Sequence, residues 1–431
     1  MTNDKLAILV GGGPAPGING VIGAATIQAC LGGTEVVGVL EGFKYLISGD
    51  TSRVQRMTIA DASRLHFRGG SHLGIARANP TKSPELLAKC LATLKELGVG
   101  KLITIGGDDT AFSSASLARA SNGSLRVVHV PKTIDNDLDL PHDVPTFGFQ
   151  TARHIGTGLV ENLMVDAKTT LRWYFVIAMG RKAGHLALGM GKAAGATITL
   201  VPEEFTATTA PGKVRMADIV DTLVGAIVKR HASGNEHGVA VLAEGLVEVI
   251  DPADMEGLEG VERDAHGHIR IAEVDFGNIV KVAVQKRLKE LKIVTTIVPK
   301  NIGYELRCAD PIPFDMEYTR DLGYCAARYL EDGGDQALVS IQRGAFVPVP
   351  FDSIMDKTTG RMKVRMVDIG SHHYKLARAF MIRLNSADLS DPAKLAPLAK
   401  AASMEPAAFA RSFAHVTAGD EASAVPPLFT R

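Results

Sequence analysis

The sequence predicts an α/β protein of two domains, each a mainly parallel sheet flanked by helices. Three observations predict it. Short, continuous apolar runs rich in Val, Ile and Leu alternate with stretches of helical character. Glycine-rich segments follow several of those runs, where strands of an open sheet would end. The chain, at 431 residues with 46% hydrophobic residues, exceeds one ordinary domain and holds apolar material for two cores.

Taken in order, residues 6–10, 35–40, 101–105, 126–130, 174–178 and 197–201 read as buried strands. Between them, 84–97 places apolar residues at helical spacing and 111–120 is rich in helix formers. This alternation argues for a parallel sheet with helices on both faces. Residues 238–243, 293–298 and 336–341 repeat the strand pattern, and 217–230, 277–291 and 316–330 the helical one, so a second α/β domain follows. The prediction is therefore two Rossmann-like domains: residues 1–150 with a late chain return at about 320–385, and residues 151–320. Segment 250–269, rich in Gly, Asp and Glu, reads as an exposed excursion. Lys286, Arg287 and Lys289 read as the solvated face of a helix. The stretch 386–431, rich in Ala, Pro and Ser, reads as a helical or partly disordered extension.

Lys plus Arg and Asp plus Glu both number 47, so the basic excess of a general nucleic-acid binder is missing. The four cysteines (Cys30, Cys90, Cys308, Cys325) are far apart, with no CxxC pair or zinc spacing, as in reduced cytoplasmic proteins. No apolar run approaches the roughly 20 residues of a membrane span, and the first residues lack a signal-peptide pattern. A cytoplasmic location is expected.

Three segments carry chemistry. After the first strand, Gly11-Gly12-Gly13-Pro14-Ala15-Pro16-Gly17 lets backbone N–H groups approach a phosphate, with a helix N-terminus behind it. It lacks the GK[ST] of a Walker loop, and on its own a tight structural turn fits nearly as well. After 101–105 comes Gly106-Gly107-Asp108-Asp109-Thr110. One Asp at a helix start is often a cap; two adjacent ones suggest a hard cation with phosphate oxygens nearby. After 126–130 comes Pro131-Lys132-Thr133-Ile134-Asp135-Asn136-Asp137, a cation, a hydroxyl and two carboxylates within one turn. Adjacent strand ends would bring the last two segments into one cleft.

GGGPAPGIN, GGDDT and PKTIDND, in this order, resemble the phosphofructokinases and specifically their pyrophosphate-dependent branch. The likeness continues through Met179-Gly180-Arg181, Ala243-Glu244-Gly245 and Gly303-Tyr304-Glu305-Leu306-Arg307. It implies transfer of a phosphoryl group from pyrophosphate to the 1-hydroxyl of fructose 6-phosphate, with Mg2+, in a cleft between a donor domain and a sugar domain. By the same resemblance Asp135 is the base, Asp108 the metal ligand, and Gly12 a backbone contact to the donor. Thr133 and Asp137 neighbour the base. Met179, Gly180 and Arg181 form a substrate loop, and Glu244 binds sugar hydroxyls. Tyr304 and Arg307 contact the 6-phosphate, while the family's second phosphate-binding arginine has no clear match in 293–302, where Lys300 would substitute for it. Arg172 reaches the 6-phosphate of a neighbouring subunit, so a homodimer or homotetramer is implied.

Members of the family that use ATP carry Gly in place of Asp109 and of Lys132. A carboxylate at 109 would face the α-phosphate of ATP. Two like charges about 4 Å apart at an effective dielectric of about 20 repel by roughly 4 kcal/mol. Pyrophosphate has no third phosphate and escapes the clash, while Lys132 supplies positive charge to the transferring group. The rival expectations are an ATP-dependent enzyme, a second sugar such as sedoheptulose 7-phosphate, and a non-catalytic sugar-phosphate-binding subunit. Retention of Asp108 and Asp135 speaks against the last.

Overall fold

The computed structural model describes residues 4–140, 144–255, 274–354, 356 and 363–417. Packing divides the chain into two units, Met1–Ala152 with Tyr304–Arg365 and Arg153–Gly303 with Met366–Arg431. The chain thus returns to the first unit at Tyr304, earlier than composition suggested, and leaves it again after Arg365.

In chain order the strands are β1 (Lys5–Val10), β2 (Val36–Val39), β3 (Val54–Met57), β4 (Val99–Gly106), β5 (Arg126–Pro131), β6 (Trp173–Ala178) and β7 (Ile198–Leu200). They continue with β8 (Gly238–Ala243), β9 (Ile297–Ile302), β10 (Ala337–Leu338), β11 (Ile341–Gln342), β12 (Ala345–Phe346) and β13 (Val349–Pro350). The first unit holds a seven-stranded sheet in the order β13-β10-β5-β4-β1-β2-β3. Its inner strands run parallel, and β3 and β13 close the two edges antiparallel.

Both faces of this sheet are covered, which explains the unbroken apolar runs. Side chains alternate across a strand. Ala7, Leu9, Leu102 and Val127 point to one core with Ala111 and Ala115 of the helix Asp108–Ala120. Leu6, Ile8, Ile103 and Val128 point to the other with Ile18, Val21 and Ile22 of the helix Ile18–Leu31. That helix lies tightly on Pro313–Glu331, because a Cβ on Gly20 would stand 2.2 Å from the Thr319 hydroxyl.

The second unit holds a four-stranded parallel sheet in the order β7-β8-β6-β9. Each unit is α/β and Rossmann-like, as the sequence predicts. Its main core joins Trp173, Phe175, Ile198 and Leu242 to Leu223 and Ile227 of the helix Met216–Ala232.

Four local expectations are corrected. The strand read at 293–298 begins at Ile297 and runs to Ile302, because the edge position of β9 tolerates Lys300 and Asn301. The run 336–341 is broken: β10 joins the main sheet, while β11 turns away to pair with β12. Arg287 is no solvated side chain. It donates to Asp221 at 2.9 Å and Ser412 at 2.6 Å and lies over the Phe413 ring. That clamp involves the stretch after 386, which is helical at 386–390, 392–401 and 406–413. Its helices Pro392–Ala401 and Pro406–Phe413 bury Leu398, Phe409 and Phe413 in the core of the second unit. Within the supposed excursion Ile250 and Met255 are buried, and 256–269 lies outside the described residues. Among the described residues no helix is long and apolar enough to cross a membrane.

Candidate active site

The order β5-β4-β1 sets three strand ends side by side, and the three glycine- and aspartate-bearing segments follow from them. The Gly11 N–H donates to the Ile105 carbonyl at 2.9 Å, and the Lys132 N–H to the Gly106 carbonyl at 2.8 Å. Thr110 wedges between the first two segments. A Cβ on Gly11 would lie 2.5 Å from its hydroxyl, and one on Gly106 at 2.4 Å. Those glycines are needed for close approach, whatever ligand they serve.

Beneath the loops His129 is fully buried. Its Nε2 meets the Gly106 carbonyl at 3.0 Å, so this nitrogen carries the proton. Its Nδ1 faces the Thr104 hydroxyl at 2.8 Å, which in turn meets Ser114 at 2.6 Å. Burial pushes the imidazole down to about 3, so it stays neutral and holds Gly106 in place.

Lys132 is buried, and its Nζ donates to the Gly13 carbonyl. Gly12 is left-handed at φ 83°, turning this loop over the ammonium, which lies 3.6 Å from where a Gly12 Cβ would be. Burial first, then repulsion from Arg307 and Arg77, brings Lys132 down to about 8, against the pull of Asp135 and Asp108. Arg307 presses on the same loop, 2.1 Å from an imagined Gly13 Cβ, and stacks on Tyr304 at 5.4 Å. Three cations around one glycine loop, faced by two carboxylates, suit a small polyanion carrying a divalent metal.

Asp108 and Asp109 open the helix Asp108–Ala120, where carboxylates are favoured by the helix dipole. Asp109 is exposed, and its N–H donates to the Asp108 carboxylate at 2.9 Å. In the PKTIDND loop the Asp135 N–H donates to the Thr133 hydroxyl at 3.0 Å. Asn136 is left-handed at φ 56°, which bends the chain between Asp135 and Asp137. The donor set fits magnesium, which takes one or two carboxylates and completes its shell with phosphate oxygens and water. Among the described residues no group of three or more His, Cys, Asp and Glu forms an all-protein cage.

In the second unit Met179, Gly180 and Arg181 follow β6, and Glu244 follows β8, its neighbour. The Met179 N–H donates to Ile302, and the Gly245 N–H to the Gly180 carbonyl at 3.0 Å. The Glu244 carboxylate accepts from the Gly180 N–H at 3.2 Å, and Gly180 itself is at φ 137°. Arg181 pairs with Glu248 at 2.9 Å. Arg172 sits at the opposite end of β6, with its Nε buried and, among the described residues, without a hydrogen-bond acceptor. Six strand residues separate Arg172 from the loop at 179–181, about 20 Å at the usual rise.

Sequence reasoning missed His129 and Arg77, and it gave Thr110 of the GGDDT segment no role. His129 reads as an ordinary strand residue, and Arg77 stands outside any motif.

The family model described as Phosphofructokinase matches residues 5–330. The chain is 52% identical to a Thermotoga maritima protein described as pyrophosphate--fructose 6-phosphate 1-phosphotransferase, over 96% of this chain and 99% of that one. A Naegleria fowleri protein of the same description is 48% identical, covering 95% of each. The solved pyrophosphate-dependent phosphofructokinase of Nitrosospira multiformis is similar in fold, with a TM-score of 0.67 at 16% identity over 88% of this chain and 91% of that one.

Proposed function

The chain belongs to the phosphofructokinase family, and we propose that it transfers a phosphoryl group from pyrophosphate to the 1-hydroxyl of fructose 6-phosphate, reversibly, in the cytoplasm. One observation carries the choice of donor: a buried lysine, Lys132, fastened to the Gly13 carbonyl and flanked by Arg307 and Arg77. It offers concentrated positive charge to a donor of two phosphates. Asp109, exposed at the start of the neighbouring helix, repels a third.

Asp135 takes the proton from the sugar 1-hydroxyl as its oxygen bonds to the distal phosphorus. The bridging P–O bond breaks, and orthophosphate leaves with the electron pair. Lys132 and the backbone at Gly12 hold charge that grows on the transferring group. Asp108 would hold Mg2+, which neutralises phosphate charge when bound. Thr133 keeps Asp135 in register through its hydroxyl, and Asp137 stands as the second carboxylate of the loop. Met179, Gly180, Arg181 and Glu244 bind the sugar, and Tyr304 with Arg307 meets its phosphate. Arg307 is shared in this reading, since it also touches the donor loop.

The position of Arg172 supports a homo-oligomer. At about 20 Å from the sugar loop of its own unit it cannot serve that loop, whereas it can serve a second copy. A coupled assay comparing pyrophosphate with ATP at fixed magnesium tests the reading. Turnover with pyrophosphate and little with ATP is expected; the reverse order overturns it.

A further inference from the structure

We propose that Arg365 is a positioning residue for phosphoryl transfer, holding the Asp135–Asp137 turn in its working shape. The inference rests on Asp135 being the base. Arg365 lies beyond the residues matched by the family model and carries no motif. It nevertheless fastens the loop from outside through several donors. Its Nε and Nη2 donate to the Asn136 carbonyl at 3.2 and 3.1 Å, and Nη2 also donates to the Asn136 side chain. Its Nη1 donates to the Val144 carbonyl at 3.0 Å, and its own N–H to the Asp137 carbonyl at 2.8 Å. A bridge between Leu138 and Val364 aligns the two segments.

The geometry explains why an arginine stands there. Asn136 is the one residue of the turn in the left-handed region, a conformation uncommon outside glycine and least disfavoured for Asn. Its carbonyl takes its donors from the Arg365 guanidinium. Burying such a carbonyl requires donors, and a guanidinium brings several in one plane. The Asn136 side chain meanwhile accepts from the Thr146 N–H at 3.0 Å, and the Thr146 hydroxyl donates to the Thr133 carbonyl at 2.7 Å. Guanidinium, Asn136, Thr146 and Thr133 therefore close a ring around the chain that bears Asp135. Lysine carries its three donors on one nitrogen and lacks the planar fork that Arg365 spreads over the Asn136 and Val144 carbonyls.

A misplacement of about 1 Å at a reacting group can cost on the order of 100-fold in rate. Arg365→Gln and Arg365→Lys are expected to lower kcat by roughly 10- to 100-fold. KM for fructose 6-phosphate and for pyrophosphate should stay within about threefold, since neither substrate is assigned to Arg365. In Arg365→Ala, guanidinium at tens of millimolar should restore part of kcat, while sodium at equal ionic strength should not. Wild-type kcat in the Gln and Lys variants, a change confined to KM, or equal effects of guanidinium and sodium would each overturn the proposal. If Arg365→Gln does not fold, Arg365→Lys, which keeps the charge and one donor group, is scored alone. Wild-type protein assayed alongside separates the two readings: no pyrophosphate-dependent turnover there refutes the proposed function, and a variant result alone refutes only the role of Arg365.

Discussion

Lys132 makes opposite demands on activity and on stability as pH rises, and the two can be measured on one sample. Its ammonium is brought down to about 8, chiefly by burial and next by Arg307. An unfolded lysine titrates near 10.5. The folded chain therefore binds fewer protons than the unfolded chain between pH 8 and 10.5. Stability from this group is fully present above about 10.5 and is lost as pH falls through about 8. At about 1.4 kcal/mol per unit, the penalty at neutral pH is about 3 kcal/mol. Activity runs the other way, because the cation is the useful form. Half of Lys132 is charged at pH 8, and the fraction falls tenfold per unit beyond it. The kcat/KM for pyrophosphate, which reports the free enzyme, should lose about thirtyfold between pH 7 and 9.5. The reference is Lys132→Gln, expected to be slow but flat over that range. Its urea stability should exceed wild type at pH 7 by less than the full 3 kcal/mol, because the bond to Gly13 is also weakened. That margin should shrink toward pH 10.5. A wild-type profile that stays level to pH 10, or a stability difference independent of pH, refutes the argument.

Asp135→Asn should lower kcat by roughly 10²- to 10⁴-fold with sugar binding nearly intact by titration calorimetry; unchanged turnover would remove it as the base. Asp109→Gly should admit ATP, seen as a gain in nucleotide affinity in equilibrium dialysis, with poor turnover while Lys132 remains; no gain defeats the charge argument. Gly106→Ala would place a Cβ 2.4 Å from Thr110 and should displace the start of the Asp108 helix, lowering kcat and the melting temperature together. Arg172→Ala should raise KM for fructose 6-phosphate with kcat little changed, and wild-type kinetics would argue against a site completed by a second copy.

What was legible in the sequence follows from which forces act locally. β1, β4, β5, β6 and β8 lie inside their sheets, so both faces demand apolar residues and the runs are unbroken. The three loops announced themselves through Gly, Asp and Lys, whose roles depend on backbone freedom and charge. β9 was shifted because an edge strand admits Lys300 and Asn301, and β3 passed unseen because VQRM shows little apolar periodicity. The packing of the C-terminal helices hid behind their Ala and Pro content, although Phe409 and Phe413, four apart, mark one helical face. Arg365 was invisible for a different reason: its partners are carbonyls 229 and 221 positions away, and carbonyls leave no trace in side-chain identity.

The interleaved course of the chain bears on how it is made. On the ribosome, β1 to β5 emerge early, yet the strand that continues their sheet, β10, arrives some 200 residues later. The second unit likewise waits for Phe409 and Phe413 to finish its core. Nascent chains should therefore carry two incomplete, sticky halves until synthesis is nearly over. Cutting the gene at any of the three crossings would yield fragments that a chaperone holds and a protease clears.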